Sequence, residues 1–260
     1  MRPRREPLNQ DRQPSFSVDR TPGRTVLRFH PREFLAGADL RLLHGLWDFF
    51  ENERRAPSRI LVVLVPPDLL SPRSLERLLG GPDATSSPNA TKISDRILRE
   101  ENVIQRFIEN VRGLESFVVG VVRGEIAFHL AAPFLACDYR ITSSDSVFVN
   151  TTQALPRAPL ACLPWLLAKM VGGAKASQIL LDVPRLPAED ARELGLVNHV
   201  AEPDFLEKEA LEVADRLGSL PRATLISLKR AIIASSEDFQ TYQQHELMLT
   251  HQLASAHWKD

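Results

Sequence analysis

Apolar residues recur along the chain in two ways: as short continuous runs, and as longer stretches with helical spacing. Residues 60–65 (Ile-Leu-Val-Val-Leu-Val) and 117–122 (Phe-Val-Val-Gly-Val-Val) are continuous runs, the pattern of strands buried on both faces of a parallel sheet. Pro66-Pro67 ends the first run. Shorter strands are predicted over 25–29, 139–142, 147–149 and 196–200. Helical spacing covers 40–50 and 97–114, the latter with Ile97, Val103, Ile104, Phe107, Ile108 and Val111 on one face. Residues 131–136 read as helical apart from Pro133, as do 163–171, 174–181 and 187–195, the last closed by Gly195. From 204 onward the chain reads as helix over 204–217, 224–235 and 238–258. Residues 80–90 form a Gly/Pro/Ser/Asn loop.

Strand and helix alternating up to residue 200, then helix alone, argue an α/β core with a helical annex. The division is a polar, flexible arm over 1–22, a core over 23–203 and a C-terminal helical region over 204–260. No internal repeat is visible.

The chain has 260 residues, 43% hydrophobic and 25% charged, enough for a sizeable core. Thirty-two Lys and Arg against 33 Asp and Glu leave a net charge of −1, so no global field draws nucleic acid or membrane. Cys137 and Cys162, each flanked by apolar residues, read as buried free thiols, which suits a reducing cytoplasm. No apolar run reaches the ~18 residues of a membrane helix. The basic start, Met1-Arg-Pro-Arg-Arg-Glu-Pro, is not followed by the apolar stretch of a signal peptide. His245 and His251, six apart, do not make a metal-binding helix face, and no metal is expected. The cluster Leu46-Trp-Asp-Phe-Phe50 reads as core.

Gly124-Glu-Ile-Ala-Phe-His-Leu-Ala-Ala-Pro-Phe-Leu-Ala-Cys-Asp138-Tyr-Arg-Ile141 carries the most information. Its ends resemble the second oxyanion segment of the crotonase (enoyl-CoA hydratase/isomerase) superfamily, whose usual run is Gly-x-Ala-x-Gly-Gly-Gly-x-Glu-Leu-Ala-Leu-Ala-Cys-Asp-x-Arg-Ile. Ser144-Asp-Ser-Val-Phe148, Gly172-Gly-Ala-Lys-Ala176, Leu180-Leu181, Pro187-Ala-Glu-Asp-Ala191 and Leu194-Gly-Leu-Val-Asn-His-Val200 follow in the family's order and spacing. The resemblance covers residues 25 to 260. It implies a spiral of ββα turns, trimers or dimers of trimers packed through the C-terminal helices, and no cofactor beyond the coenzyme A of an acyl thioester substrate. Its shared chemistry is an enolate stabilised by two backbone N–H groups.

Departures from the family run fall on the chemistry. Phe128, His129 and Leu130 stand where the family has three glycines, and their β-carbons would strain a glycine-only backbone. The two hydratase glutamates align with Ala132 and Thr152, neither of which can act as a general base. Ala36-Gly-Ala-Asp-Leu40 resembles the family's first oxyanion motif, but it precedes strand 60–65 rather than following it. It therefore reads as the start of a helix capped by Asp39. Counting from that strand places the oxyanion loop at 69–75, with Ser71 N–H as one donor and His129 N–H as the other. Lys229 and Arg230, in Leu228-Lys-Arg-Ala231, resemble the helix whose lysine lies near the CoA phosphates.

Two readings follow. One is a degenerate hydratase site that binds an acyl-CoA thioester or related carbonyl compound without hydrating it, its acyl tunnel narrowed by the 128–130 side chains. The other is a divergent isomerase, decarboxylase or carbon–carbon hydrolase using His129. Some β-diketone hydrolases of the superfamily also lack the glycine triplet and carry a histidine in this region. On the bland reading, His129 is a partly buried histidine bonded to a backbone carbonyl, and Asp138 is structural.

Overall fold

A computed structural model describes residues 11–13, 16–30, 40–79, 90–151, 161–235, 238, 240–244, 246 and 248. Strands β1 (Asp11–Gln13), β2 (Phe16–Thr21) and β3 (Arg24–Phe29) form an antiparallel ribbon. Pro22-Gly23 turns β2 into β3, and Gly23 takes the positive φ of 83° that such a turn needs at its second corner. β3 then runs parallel to β4 (Ile60–Leu64), which pairs in turn with β5 (Phe117–Val122), β7 (Tyr139–Ser143) and β10 (His199–Ala201). The seven-stranded sheet has the order β1-β2-β3-β4-β5-β7-β10. A second sheet, β6-β8-β9, is built from β6 (Glu125–Ala127), β8 (Val147–Val149) and β9 (Arg185–Pro187).

Successive strands alternate between the sheets: β5 in the large one, β6 in the small one, helix α4 (Phe128–Leu135), then β7 and β8. This is the ββα spiral that the resemblance implied. Helices α1 (Leu40–Arg55), α2 (Pro72–Leu79) and α3 (Ala90–Gly113) precede it. Helices α5 (Leu163–Val171), α6 (Gly173–Leu181), α7 (Ala188–Glu193), α8 (Leu206–Gly218) and α9 (Arg222–Ala234) follow. Residues 240–244, 246 and 248 are also helical.

The reading of 1–22 as a flexible arm is corrected over its second half. Phe16 and Val18 are buried with Leu27, Phe29, Leu46, Phe49 and Phe50. Two apolar residues at period two among charged ones are a strand face, but only the pairing with β3 and the cover from α1 make that face count. Residues 1–10 and 31–39, which include Asp39 and all of the 36–40 motif but Leu40, lie outside the described residues.

Helix α4 sits directly on β5. A β-carbon at Gly120 would lie 2.8 Å from Cys137 Sγ and 3.1 Å from a Phe134 ring carbon. Glycine in this strand is what lets the helix approach.

Candidate functional site

β6 ends at Ala127 and α4 begins at once, with Ala127 as an extended N-cap that makes no side-chain cap bond. Phe128, His129 and Leu130 are its first turn. Among the described residues, the non-glycine positions with positive φ are Asp68, Ala161 and Cys162, so the triplet is in ordinary right-handed helix. The strain expected of three β-carbons therefore does not arise, because the backbone here adopts a conformation open to any L-residue.

The three side chains leave the helix in different directions. Phe128 stacks on Phe148, ring centroids 5.7 Å apart, inside the core. His129 is buried, and its Nδ1 lies 2.6 Å from the hydroxyl of buried Thr151. One ring nitrogen thus has a side-chain hydroxyl as its partner. Leu130 packs with Leu75 and Ala127, flanked by Leu70 and Ile104, so side chains of α2, α3 and α4 meet there. Of the triplet, Leu130 supplies bulk between these helices, while Phe128 belongs to the core.

The placement of Ser71 differs from expectation. Its N–H donates to Asp68 O at 3.2 Å, and its Oγ donates to the same carbonyl at 2.8 Å. Ser71 Oγ also accepts the Ser74 N–H at 3.2 Å. Ser71 is therefore the N-cap of α2, with Pro72 in the first helical position, where a missing N–H costs nothing. Its amide is spent on the local turn. Pro72 has no N–H and Ser74's is held, which leaves Arg73 as the first-turn amide of α2 without an acceptor among the described residues. The two helix starts are tied together, since Ala127 N–H donates to Leu70 O at 2.7 Å. The structure thus brings the 69–75 loop beside α4, as counted from the sequence, but uses Ser71 as a cap.

Ala132 is fully buried in the main core cluster. Thr152 lies outside the described residues; its neighbour Thr151 is the His129 partner.

A family model, enoyl-CoA hydratase/isomerase, matches residues 81–259. The chain belongs to this family. It is 30% identical over 119 residues to a short-chain-enoyl-CoA hydratase of Clostridium acetobutylicum, covering 46% of each chain. It is 29% identical over 159 residues to a trans-2-decenoyl-(acyl-carrier-protein) isomerase of Streptococcus mutans, covering 61% of this chain and 60% of that one. The matches thus span about half the length of the curated relatives. An enoyl-CoA hydratase structure from Bacillus halodurans superposes with a TM-score of 0.74 at 17% identity, over 95% of this chain and 96% of that one. At that identity the likeness is one of fold.

For a family whose lysine on this helix was expected to meet CoA phosphates, Lys229 is placed otherwise. It is 3% exposed. Its Nζ donates to Val111 O at 2.8 Å, Ser116 O at 2.9 Å and Asp138 Oδ2 at 2.7 Å. All three ammonium protons are used, so none remains for a phosphate. Arg230 is exposed and pairs with Glu115 at 2.8 Å. Asp138 also accepts the Val118 N–H at 2.7 Å, which gives it the structural place expected at the junction of α4 and β7.

Sequence reading missed Glu246. It is buried and bonded to the Cys162 N–H, the Tyr242 hydroxyl and the Gln105 amide. Burial, and then the Glu246 charge, push the Cys162 thiol and the Tyr242 hydroxyl well above their ordinary ranges. The local signal was only Tyr242 and Glu246 four residues apart in a polar stretch. Among the described residues no group of His, Cys, Asp or Glu is placed to hold a metal ion. No helix there is long and apolar enough to cross a membrane.

Proposed function

We propose that this is a crotonase-family protein with a degenerate hydratase site, one that takes an acyl-CoA thioester or related carbonyl compound without hydrating it. The observation that carries the reading is Ala132, fully buried in the core where the family's run has a glutamate. With alanine there and threonine at 152, no group at these positions can activate water. The backbone part of the site survives better. The starts of α2 and α4 are joined through Leu70 and Ala127, and first-turn amides at a helix N-terminus favour a negatively charged oxygen. Arg73 N–H replaces Ser71 N–H as the α2 donor in this reading, with His129 N–H on α4. In this reading the acyl chain runs between the helices, where Leu130 and Leu75 already pack together with Ile104 against them, so binding is weak and falls with chain length. CoA phosphates have only Arg230 of the expected pair.

One observation favours the alternative, an active isomerase, decarboxylase or carbon–carbon hydrolase. The buried His129–Thr151 pair places an oriented imidazole on the first turn of α4.

The subunit reads as part of a homotrimer or dimer of trimers. Leu228 and Ile232, one turn apart on α9, are 53% and 66% exposed, the kind of apolar face a second copy covers. The two free, buried thiols suit a reducing cytoplasm.

Two assays test the reading. Crotonyl-CoA hydration is expected to be undetectable, since general acid–base help at each vacated position is worth about 10²–10⁴ in rate. Calorimetry with acetyl-CoA and longer acyl-CoAs is expected to give weak binding that weakens further with chain length. Turnover at ordinary enzyme rates, or tight binding that improves with chain length, refutes it.

A further inference from the structure

Glu246 is 1% exposed. Its two oxygens accept the Cys162 N–H at 2.9 and 2.7 Å, one accepts the Tyr242 hydroxyl at 2.9 Å, and the other accepts the Gln105 side-chain amide at 3.1 Å. The donors come from three parts of the chain: the N-cap of α5, the helical stretch one turn before Glu246, and α3. At the first of these the backbone is unusual. Ala161 and Cys162 have φ of 49° and 66°, two consecutive residues with β-carbons in the left-handed region. Such residues are held there only when their surroundings impose it.

We propose that Glu246 is a latch: its carboxylate holds the Ala161–Cys162 turn in its left-handed form, and so sets where α5 begins against α4, the helix that carries His129. Glu246 is a positioning residue and touches no ligand. Its effect on ligand binding rests on the reading of α4's start as the binding site; the latch itself does not.

The chemistry selects a carboxylate. The Cys162 N–H is shared between both oxygens, and only an ionised acid offers two acceptors side by side. A glutamine in its place turns one of them into an NH₂ donor facing an N–H donor. The negative charge also lies at the N-terminal end of α5, where the helix favours it. Without it, the turn keeps its backbone strain, and a buried N–H loses its acceptor. Tyr242 and Gln105 also donate to these oxygens, so the C-terminal stretch and α3 are fastened to the same point. The link joins residues 105, 162 and 246, far apart in sequence, at a place where no glycine relieves the turn.

Amide hydrogen exchange tests this in the full chain, read on peptides covering 161–166 and, as internal reference, β5. In Glu246→Gln, exchange at Cys162 and Leu163 is expected to accelerate about tenfold or more while β5 stays protected, the mark of a local rather than a global opening. Tyr242→Phe keeps the carboxylate but removes one of its donors, and is expected to give a smaller acceleration confined to the same peptide. In Glu246→Ala, sodium acetate is expected to restore protection at 161–166 where sodium chloride at equal ionic strength does not. Equal acceleration at 161–166 and β5 overturns the latch, since Glu246 would then contribute only to global stability. Unchanged exchange at Cys162 in the glutamine variant overturns it as well. Should Glu246→Gln fail to fold, Tyr242→Phe decides by the same comparison. No thioester enters the assay, so a failure of the proposed ligand leaves its outcome untouched.

Discussion

Lys229 Nζ lies 2.7 Å from Asp138 Oδ2, and the pair fastens α9 to the junction between α4 and β7. Burial pushes the Asp138 carboxyl up, and the Lys229 charge and hydrogen bond oppose that shift. Lys229→Met leaves the carboxylate inside without its cation, at a cost of about 3–5 kcal/mol. Pairing it with Asp138→Asn removes the stranded charge. Urea unfolding of the two single variants and the double is expected to show the double losing clearly less than the sum of the singles. Additive losses would mean that the pair is not energetically coupled.

Gly120→Ala is expected to destabilise the chain by about 1–3 kcal/mol, because the added methyl overlaps the Cys137 thiol and the Phe134 ring. Adding Cys137→Ala makes room on one side. Thermal melts of the double variant are expected to recover part of the loss; no recovery would place the strain on Phe134 alone.

Alkali weakens the fold through the same cysteine. Burial, with the Asp138 charge adding to it, pushes the Cys137 thiol from 9.0 up to about 12. An unfolded chain releases that proton near pH 9, whereas the folded chain holds it to about pH 12. Between these values the folded state binds more protons, so stability falls as pH rises, by about 1.4 kcal/mol per pH unit. Below pH 9 this contribution is whole. Denaturant unfolding between pH 9 and 11 is expected to show a slope shallower by that amount in Cys137→Ala, and an unchanged slope would refute the shift.

Thr151 and His129 form a bond whose direction depends on the imidazole tautomer. Thr151→Val keeps the shape and removes the hydroxyl, at a cost of about 1–3 kcal/mol for a buried ring nitrogen that loses this bond. Imidazole ¹⁵N shifts are expected to move in the variant. Unmoved shifts would show that the hydroxyl does not set the tautomer.

Elements carried by apolar periodicity were legible from the sequence. The runs at 60–65 and 117–122 are central strands β4 and β5, and the 40–50 stretch is the first part of α1. The ordered motifs after Gly124 identified the spiral. The site was legible only in outline. Position 132 could be read as an alanine where the resembled run has a glutamate, and an oxyanion loop was expected at 69–75. That Ser71 would spend its amide on Asp68 was not readable, because Ser-Pro-Arg-Ser is as compatible with an open loop as with a capped helix. The start of α4 at Phe128 rather than near 131 was also hidden, since a triplet aligned with glycines suggests a loop where these side chains allow a helix.

Sequence by itself determined the family, the order of the central strands and the longer helices, and the alanine at 132 where the resembled run has a glutamate. These are properties of local pattern and residue type, and they hold wherever the residues end up. Tertiary structure decided what the polar groups do. Lys229 finds its acceptors at 111, 116 and 138, and Glu246 its donors at 105, 162 and 242. Apart from Tyr242, one turn away, these partners lie tens of residues or more along the chain. A lysine and a glutamate in polar helical stretches read as solvated, and only the packing of distant segments makes each a buried group whose bonds must all be met.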